Sequence, residues 1–303
     1  MAIRNNEDRT GERRVSGAEA PPQATAILAS PGESAPQSRP LDFTCPTEFV
    51  DLPSGGKYYS KEHPLHNKDT IEIRFMTAKD EDILTSKSLL KKGVAIDRFL
   101  QNILVDKTIK LDTLVVGDKN ALVVAARITG YGADYSTKVT CPSCAESQDY
   151  SFNLDEGTTR EGGLETLNKI NPESAESVTA TENNTWLISC PRSKATVEVK
   201  LLSGVDEKFM VKSQAMKKKN KLPDSLLTDQ LRQTIISVNG NADSISISKF
   251  INVMPALDSR FVRTIYESLM PNVDLTQEFE CNSCGFGQEM EVPFTTDFFW
   301  PKR

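Results

Sequence analysis

The stretch Ile71-Glu-Ile-Arg-Phe-Met-Thr-Ala-Lys-Asp-Glu-Asp-Ile-Leu84 sets without a gap onto Val197-Glu-Val-Lys-Leu-Leu-Ser-Gly-Val-Asp-Glu-Lys-Phe-Met210. Glu72, Asp80 and Glu81 recur as Glu198, Asp206 and Glu207, and most other positions exchange like for like. Each stretch begins with alternating apolar residues, the period of a half-buried strand. Each then passes into Thr77-x-x-Asp80 or Ser203-x-x-Asp206. A hydroxyl residue three places before a carboxylate satisfies free N–H groups at a helix start, and the acid sits well in the helix dipole. Both stretches therefore read as a strand turning into a helix.

Working outward, the match extends. Phe49-Val-Asp-Leu-Pro-Ser-Gly-Gly-Lys57 precedes one strand and Trp186-Leu-Ile-Ser-Cys-Pro-Arg-Ser193 the other, so each copy opens as a hairpin. Downstream, helical spacing joins Ala95, Phe99, Leu100, Ile103 and Leu104 in one copy and Leu227, Leu231, Ile235 and Val238 in the other. A last helix carries Phe261, Val262, Ile265, Tyr266 and Leu269 before Pro271; its counterpart runs through Leu122, Val123, Ala125, Ala126 and Thr129 to Gly130 and Gly132. Asp118 precedes Cys141 by the same interval that separates Asp258 from Cys281, and in that register Asp134 falls on Asp274 and Cys144 on Cys284. The expected fold is α+β, an internally duplicated hairpin-plus-helices unit with copies at 43–154 and 185–303.

Two stretches lie outside the copies. Residues 1–42 mix both charge signs with Pro21, Pro22, Pro31, Pro36 and Pro40 and lack an aromatic ring, a composition expected of a disordered arm. Residues 155–184 read as a polar linker with one short helix around Leu164–Ile170.

Cys141-Pro-Ser-Cys144 and Cys281-Asn-Ser-Cys284 carry the strongest chemical signal. In each, one short strand enters, two residues turn, and an alternating strand leaves. Such a turn aims two sulfurs at one centre and supplies half of a tetrahedral thiolate site. Pairing the copies would bring Cys141, Cys144, Cys281 and Cys284 together as a composite zinc ribbon holding one structural zinc. Gly285 suits the positive-φ backbone such turns need; Ala145, at the equivalent place, predicts strain. The N-terminus lacks a signal-peptide core and no apolar run is long enough to span a bilayer, so the chain reads as soluble and unexported, where Cys pairs favour metal or redox roles over disulfides.

Rival readings follow from the same residues. A redox pair would sit at a helix start after a strand, whereas both pairs here precede strand-like sequence. A nucleic-acid-binding zinc-ribbon adaptor would want basic knuckles, yet these offer little beyond Lys138, and a net charge of -6 disfavours a long basic surface. Cys45 and Cys190 have no Cys-x-x-Cys partner, and His63-Pro-Leu-His66 reads as a loop. Lys217-Lys-Lys-Asn-Lys221 suits a solvated helix end or contact with an acidic partner. Leu52-Pro-Ser-Gly-Gly-Lys57 lacks the spacing of a phosphate loop. Phe298, Phe299 and Trp300 suit self-docking or a partner anchor. No nucleophile–base or paired-carboxylate constellation stands out, which predicts a protein that is not an enzyme.

The Leu-Pro-Ser-Gly-Gly-Lys-Tyr-Tyr entry, the doubled strand with Asp80-Glu81 or Asp206-Glu207, Met254-Pro and Asp258 before the last helix, the paired knuckles and the Phe-Phe-Trp-Pro ending follow one another in order. From about Phe43 to Pro301 the chain resembles the T4-type baseplate protein family of contractile-tailed phages, which includes the baseplate hub subunit and a hub assembly protein. The resemblance implies a component of the virion tail baseplate, or an assembly factor in the host cytoplasm. It further implies other baseplate and tail hub proteins as partners, with no small-molecule substrate. It assigns no role to the proline-rich arm or to the lysine run.

Overall fold

The computed structural model describes residues 44–293 and 298–299. The chain divides into a unit Met1–Thr44 and a unit Cys45–Arg303, and the second holds every element below. The arm expected at 1–42 lies outside the described residues.

The first half opens with β1 (Thr47–Asp51) and β2 (Thr70–Arg74), an antiparallel pair in which Val50 lies opposite Ile71. Three helices follow: α1 (Ala78–Thr85), α2 (Lys87–Lys92) and α3 (Ala95–Ile103). The stripe Ala95, Phe99, Leu100 and Ile103 is buried as the helical spacing predicts. Then come α4 (Val116–Tyr131) and a hairpin of β3 (Asp134–Thr140) with β4 (Ser147–Asn153).

Residues 155–184 hold more than one short helix. β5 (Thr158–Arg160), α5 (Gly163–Ile170), α6 (Pro172–Ala175) and β6 (Val178–Ala180) form there, and Leu167, Ala175 and Val178 are buried. Strands of three residues are too short to give a periodic signal; β5 is held by a strand far along the chain and β6 by the strand that follows it. β6 lies beside β7 (Thr185–Ser189), which pairs with β8 (Thr196–Lys200). After β8 come α7 (Gly204–Lys219) and α8 (Leu226–Thr234).

Here the structure corrects the expected second-copy helix. Ile235 and Val238 leave α8 and form β9 (Ile235–Val238), the fourth strand of that sheet. The run Ile-Ile-Ser-Val is β-branched at three of its places, and the ladder on β8 buries its alternate residues Ile235 and Ser237. Ser237 donates to Glu198 at 2.9 Å. The chain continues with α9 (Ser244–Val253) and α10 (Ala256–Leu269), which ends before Pro271 as predicted. It closes with β10 (Asn272–Asp274), paired to β5, and a hairpin of β11 (Thr276–Glu280) with β12 (Gly287–Glu291).

Two apolar clusters fill the interior. One joins residues from Val50 to Leu154 with Leu275, Phe279, Val292, Phe298 and Phe299, so the last hairpin packs with the first half. The other runs from Leu167 to Leu269. Between them the backbone is stitched by Val116 N–H to Leu202 O and Gly204 N–H to Leu114 O, both 3.0 Å. Gly117 lets α4 approach Pro271 so closely that a Cβ there would fall 1.7 Å from the Pro271 carbonyl oxygen.

The recurring carboxylates have matching surroundings. Asp80 accepts from Thr77 N–H (2.9 Å) and its hydroxyl (2.7 Å), and pairs with Arg74 at 2.6 Å. Asp206 accepts from Ser203 N–H and hydroxyl (both 2.9 Å), and pairs with Lys200 at 2.7 Å. Asp118 and Asp258, in the first turns of α4 and α10, are both fully buried. Asp118 takes Ser54 N–H (2.9 Å), Ser54 Oγ–H and Tyr59 O–H (both 2.6 Å) from the segment after β1. Asp258 takes Arg192 and Ser193 N–H (2.8 Å each) from the β7–β8 turn.

Burial alone would push the Asp80 carboxyl up, but the Arg74 guanidinium, the Thr77 N–H and hydroxyl and the Asn102 amide hold it well below the usual carboxylate range. A carboxyl lowered on folding contributes fully above its unfolded pKa of about 3.9, and that contribution is lost as pH falls toward the folded value. Asp80→Asn is expected to cost about 3 kcal/mol, since it strands Arg74 beside a buried site. Asp206→Asn should cost about 1 kcal/mol, because Lys200 remains partly solvated. Urea unfolding at pH 7 and pH 3 checks both values, with the Asp80 difference narrowing at the lower pH.

Candidate metal centre

Each Cys-x-x-Cys lies in the turn of a hairpin, and the two turns carry the same backbone bonds. Cys141 N–H donates to Glu146 O (2.9 Å) and Ala145 N–H to Cys141 O (2.9 Å). Cys281 N–H donates to Phe286 O (2.9 Å) and Gly285 N–H to Cys281 O (2.8 Å). The fifth residue of each turn takes positive φ, +60° at Ala145 and +67° at Gly285, which is the strain expected of the alanine. Other N–H groups of the turns, those of Glu146, Ser283, Cys284 and Phe286, face the sulfurs.

The hairpins are fastened to one another by groups outside the turns. Gln277 exchanges two bonds with the Asn153 backbone: its amide donates at 2.6 Å and its carbonyl accepts at 3.1 Å. Gln148 does the same for the opposite turn, donating to Glu280 O (3.1 Å) and accepting from Asn282 N–H (2.9 Å). Tyr150 donates to Glu278 O (2.9 Å) and meets the Phe279 ring edge-on at 5.1 Å.

This seating brings Cys141, Cys144, Cys281 and Cys284 together, with all four sulfurs within 4.8 Å of one another. Sγ–Sγ distances across the hairpins are 3.8 Å (Cys141–Cys284) and 3.7 Å (Cys144–Cys281). A tetrahedral ion with metal–sulfur bonds of about 2.3 Å has ligand–ligand edges of about 3.8 Å, so the four sulfurs can close around one ion. Cys141 and Cys281 are buried while Cys144 and Cys284 face solvent, which leaves one side open for an ion to enter. Without a cation the thiols compete. N–H groups of Cys284 and Ser283 help draw Cys281 down to about 7. Cys144, despite the Glu146 N–H, is pushed up to about 12 by local desolvation and its sulfur neighbours.

A third turn copies this geometry without a second sulfur. Cys190 N–H donates to Ala195 O (2.8 Å), Lys194 N–H donates to Cys190 O (3.2 Å), and Lys194 has φ +59°. Ser193 stands where the second cysteine would be, and the inward N–H groups bind Asp258. Burial, then the Asp258 charge, pushes the Cys190 thiol up to about 11, so it is a poor ligand. Cys190 has no second cysteine to mark it in the sequence; the signal for its turn is the Cys-Pro pair at 190–191, repeated from 141–142.

The remaining candidates lie elsewhere. Cys45 is exposed and its thiol reaches Phe75 O (3.4 Å). His63 binds Thr113 (2.8 Å) and His66 binds Tyr59 O (2.8 Å), so the pair is spent on loop structure. Lys217 is held by Asp229 and Ser225, whereas Lys218, Lys219 and Lys221 are exposed. Phe298 and Phe299 dock on their own domain, edge-on to Tyr135 (5.1 Å) and Phe99 (5.5 Å); Trp300 lies outside the described residues.

With hairpins, helices and knuckles in this order, residues 46–300 match the profile of a family described as T4 bacteriophage base plate protein. The chain belongs to that family. No curated protein and no solved structure matches it. Membership makes it a phage baseplate protein of the virion tail, in contact with other phage tail proteins. Among the described residues no helix is long and apolar enough to cross a membrane.

In this baseplate protein the strained alanine offers a direct test of the turn geometry. Ala145→Gly should stabilise by about 0.5–1 kcal/mol, because the αL penalty on a Cβ exceeds the added chain entropy of glycine. Gly285→Ala should destabilise by a similar amount, since its Cβ would enter open space and the backbone alone would resist. Thermal unfolding of the two variants beside wild type is the measurement.

Proposed function

We propose that the protein is a non-enzymatic structural or assembly component of the baseplate hub of a contractile phage tail, held in shape by one structural zinc on Cys141, Cys144, Cys281 and Cys284. The observation that carries this reading is the convergence of four thiols, from two hairpins far apart in the sequence, onto one close-set group. Four thiolates saturate a zinc ion and leave no position for water or substrate, which suits a clasp rather than a catalyst. The exposed side chains of the hairpins support a protein partner over a nucleic acid: Glu146, Asp149, Glu278, Glu280, Glu289 and Glu291 outnumber Lys138.

In the same reading, residues 43–154 and 185–303 are two copies of one hairpin-plus-helices unit, behind an arm at 1–42 and joined through 155–184. The matched surroundings of Asp80 and Asp206, and of Asp118 and Asp258, support that duplication. The protein would act in the tail baseplate, after assembly in the host cytoplasm, through contacts with other hub proteins.

Metal analysis of the purified chain is expected to find about one zinc per molecule. Cys281→Ser, or chelation, should lower the melting temperature by about 10 °C, as loss of a few kcal/mol does in a domain of this size. Because the ligands must be deprotonated, zinc should leave as pH falls. A metal-free, fully folded chain with four free thiols overturns the clasp. Absence from both virions and tail assembly intermediates overturns the assignment to the hub.

A further inference from the structure

A cavity of about 910 Å³ opens beside α7. Its floor is charged but self-compensated. Lys119, largely buried, pairs with Asp97 (2.7 Å) and Glu207 (2.6 Å), and Lys208 pairs with Asp97 (3.3 Å) and with Asp112. These pairs tie α7 to the first half and leave no free charge at depth. The walls are apolar: Leu90, Ile96 and Val211 are each more than a third exposed, and Phe298 and Phe299 close one end. Unlike the floor, the rim carries uncompensated charge. Lys92 and Lys212 line it, both are exposed, and among the described residues neither has an ion-pair partner.

The helix that forms one wall is itself uncovered. α2 has no buried residue, and its C-terminal Gly93 has no atom within 4 Å of where a Cβ would be. An amphipathic turn with no buried face gains little from its own domain to offset its ordering entropy. A concave apolar site of this volume is of the size that takes a ligand group, and the two rim cations fix the sign of what surrounds that group.

We infer that the cavity seats an apolar side chain of another baseplate protein, presented on an acidic segment whose carboxylates meet Lys92 and Lys212. This rests on the proposed role in the tail only for the source of the segment; the cavity's chemistry stands apart from it. A nucleic acid would spread its phosphates over a chain of net charge -6, whereas a short acidic segment meets only the two rim lysines. A second copy of the chain is the competing occupant, and the cross-linking below separates it from another tail protein.

Two measurements on the full-length chain decide it. The first uses the dye 8-anilinonaphthalene-1-sulfonate, an apolar ring system bearing one anion, as probe. One saturable site is expected; Lys92→Glu with Lys212→Glu should weaken it roughly tenfold, the equivalent of about 1.4 kcal/mol, and Val211→Trp should abolish it by filling the wall. The paired lysine change is at the surface and should leave the melting temperature unaltered, so it decides even where Val211→Trp fails to fold. Unchanged affinity in the lysine variant overturns the inference.

The second measurement is zero-length carbodiimide cross-linking of purified tails, expected to join Lys92 or Lys212 to an Asp or Glu of a different tail protein. Links from other lysines but not from these two, or links only to a second copy, overturn the inference. Absence of the chain from the tails counts against the proposed function alone, and the dye measurement then decides on the cavity.

Discussion

Four sulfur atoms from two hairpins that end opposite halves of the chain are brought to a common point, and most of the tertiary arrangement is what places them there. For β11–β12 to face β3–β4, the last hairpin must leave the cluster around α10 and pack into the first-half core through Phe279 and Val292. Gln277 and Gln148 bond across the two hairpins to each other's backbone, so the sulfurs are preorganised by neutral groups. That division of labour is economical in physical terms. Protein–protein contacts set the geometry, and a cation at the centre needs only to overcome the repulsion among thiolates.

The same fold uses carboxylates where it does not use sulfur. At the Cys190 turn, inward N–H groups that would support a thiolate bind Asp258, and Asp118 receives the equivalent segment of the first half. A buried carboxylate with several N–H or O–H donors can bear its charge because each donor replaces a lost water. Hairpin and helix are thereby locked together in both halves, with Asp80 and Asp206 closing the next turn of chain. These fixed joints contrast with α2 and the cavity wall beside it, where the structure leaves apolar surface and rim lysines uncovered.

Much of this was legible in the residues because it rests on short-range rules. Alternation gave the strands around Ile71 and Val197, capping chemistry gave the starts of α1 and α7, and two-residue cysteine spacing gave both knuckles. The failures share one cause. Ile235-Ile-Ser-Val238 carries residues compatible with either period, and pairing to β8 decides for a strand. β5 and β6 are too short for a period to register; β5 exists through β10, distant in sequence, and β6 through β7, which follows it directly. The hairpin turn at Cys190 is legible in the sequence, but its knuckle-like geometry is not, because its inward N–H groups bind a side chain from α10 that local spacing cannot place.

By itself, then, the sequence determined which residues are hairpin, helix start and candidate ligand, because strand alternation, capping and turn chemistry act over a few neighbouring residues. The family followed from the order of those features. Only the tertiary structure decided that the four sulfurs lie within 4.8 Å, that Asp118 and Asp258 are buried anchors, and that an apolar cavity with two unpaired rim lysines stands open beside α7. Those properties depend on long-range burial, where the free energy is gained from surfaces that meet only once the chain has closed on itself.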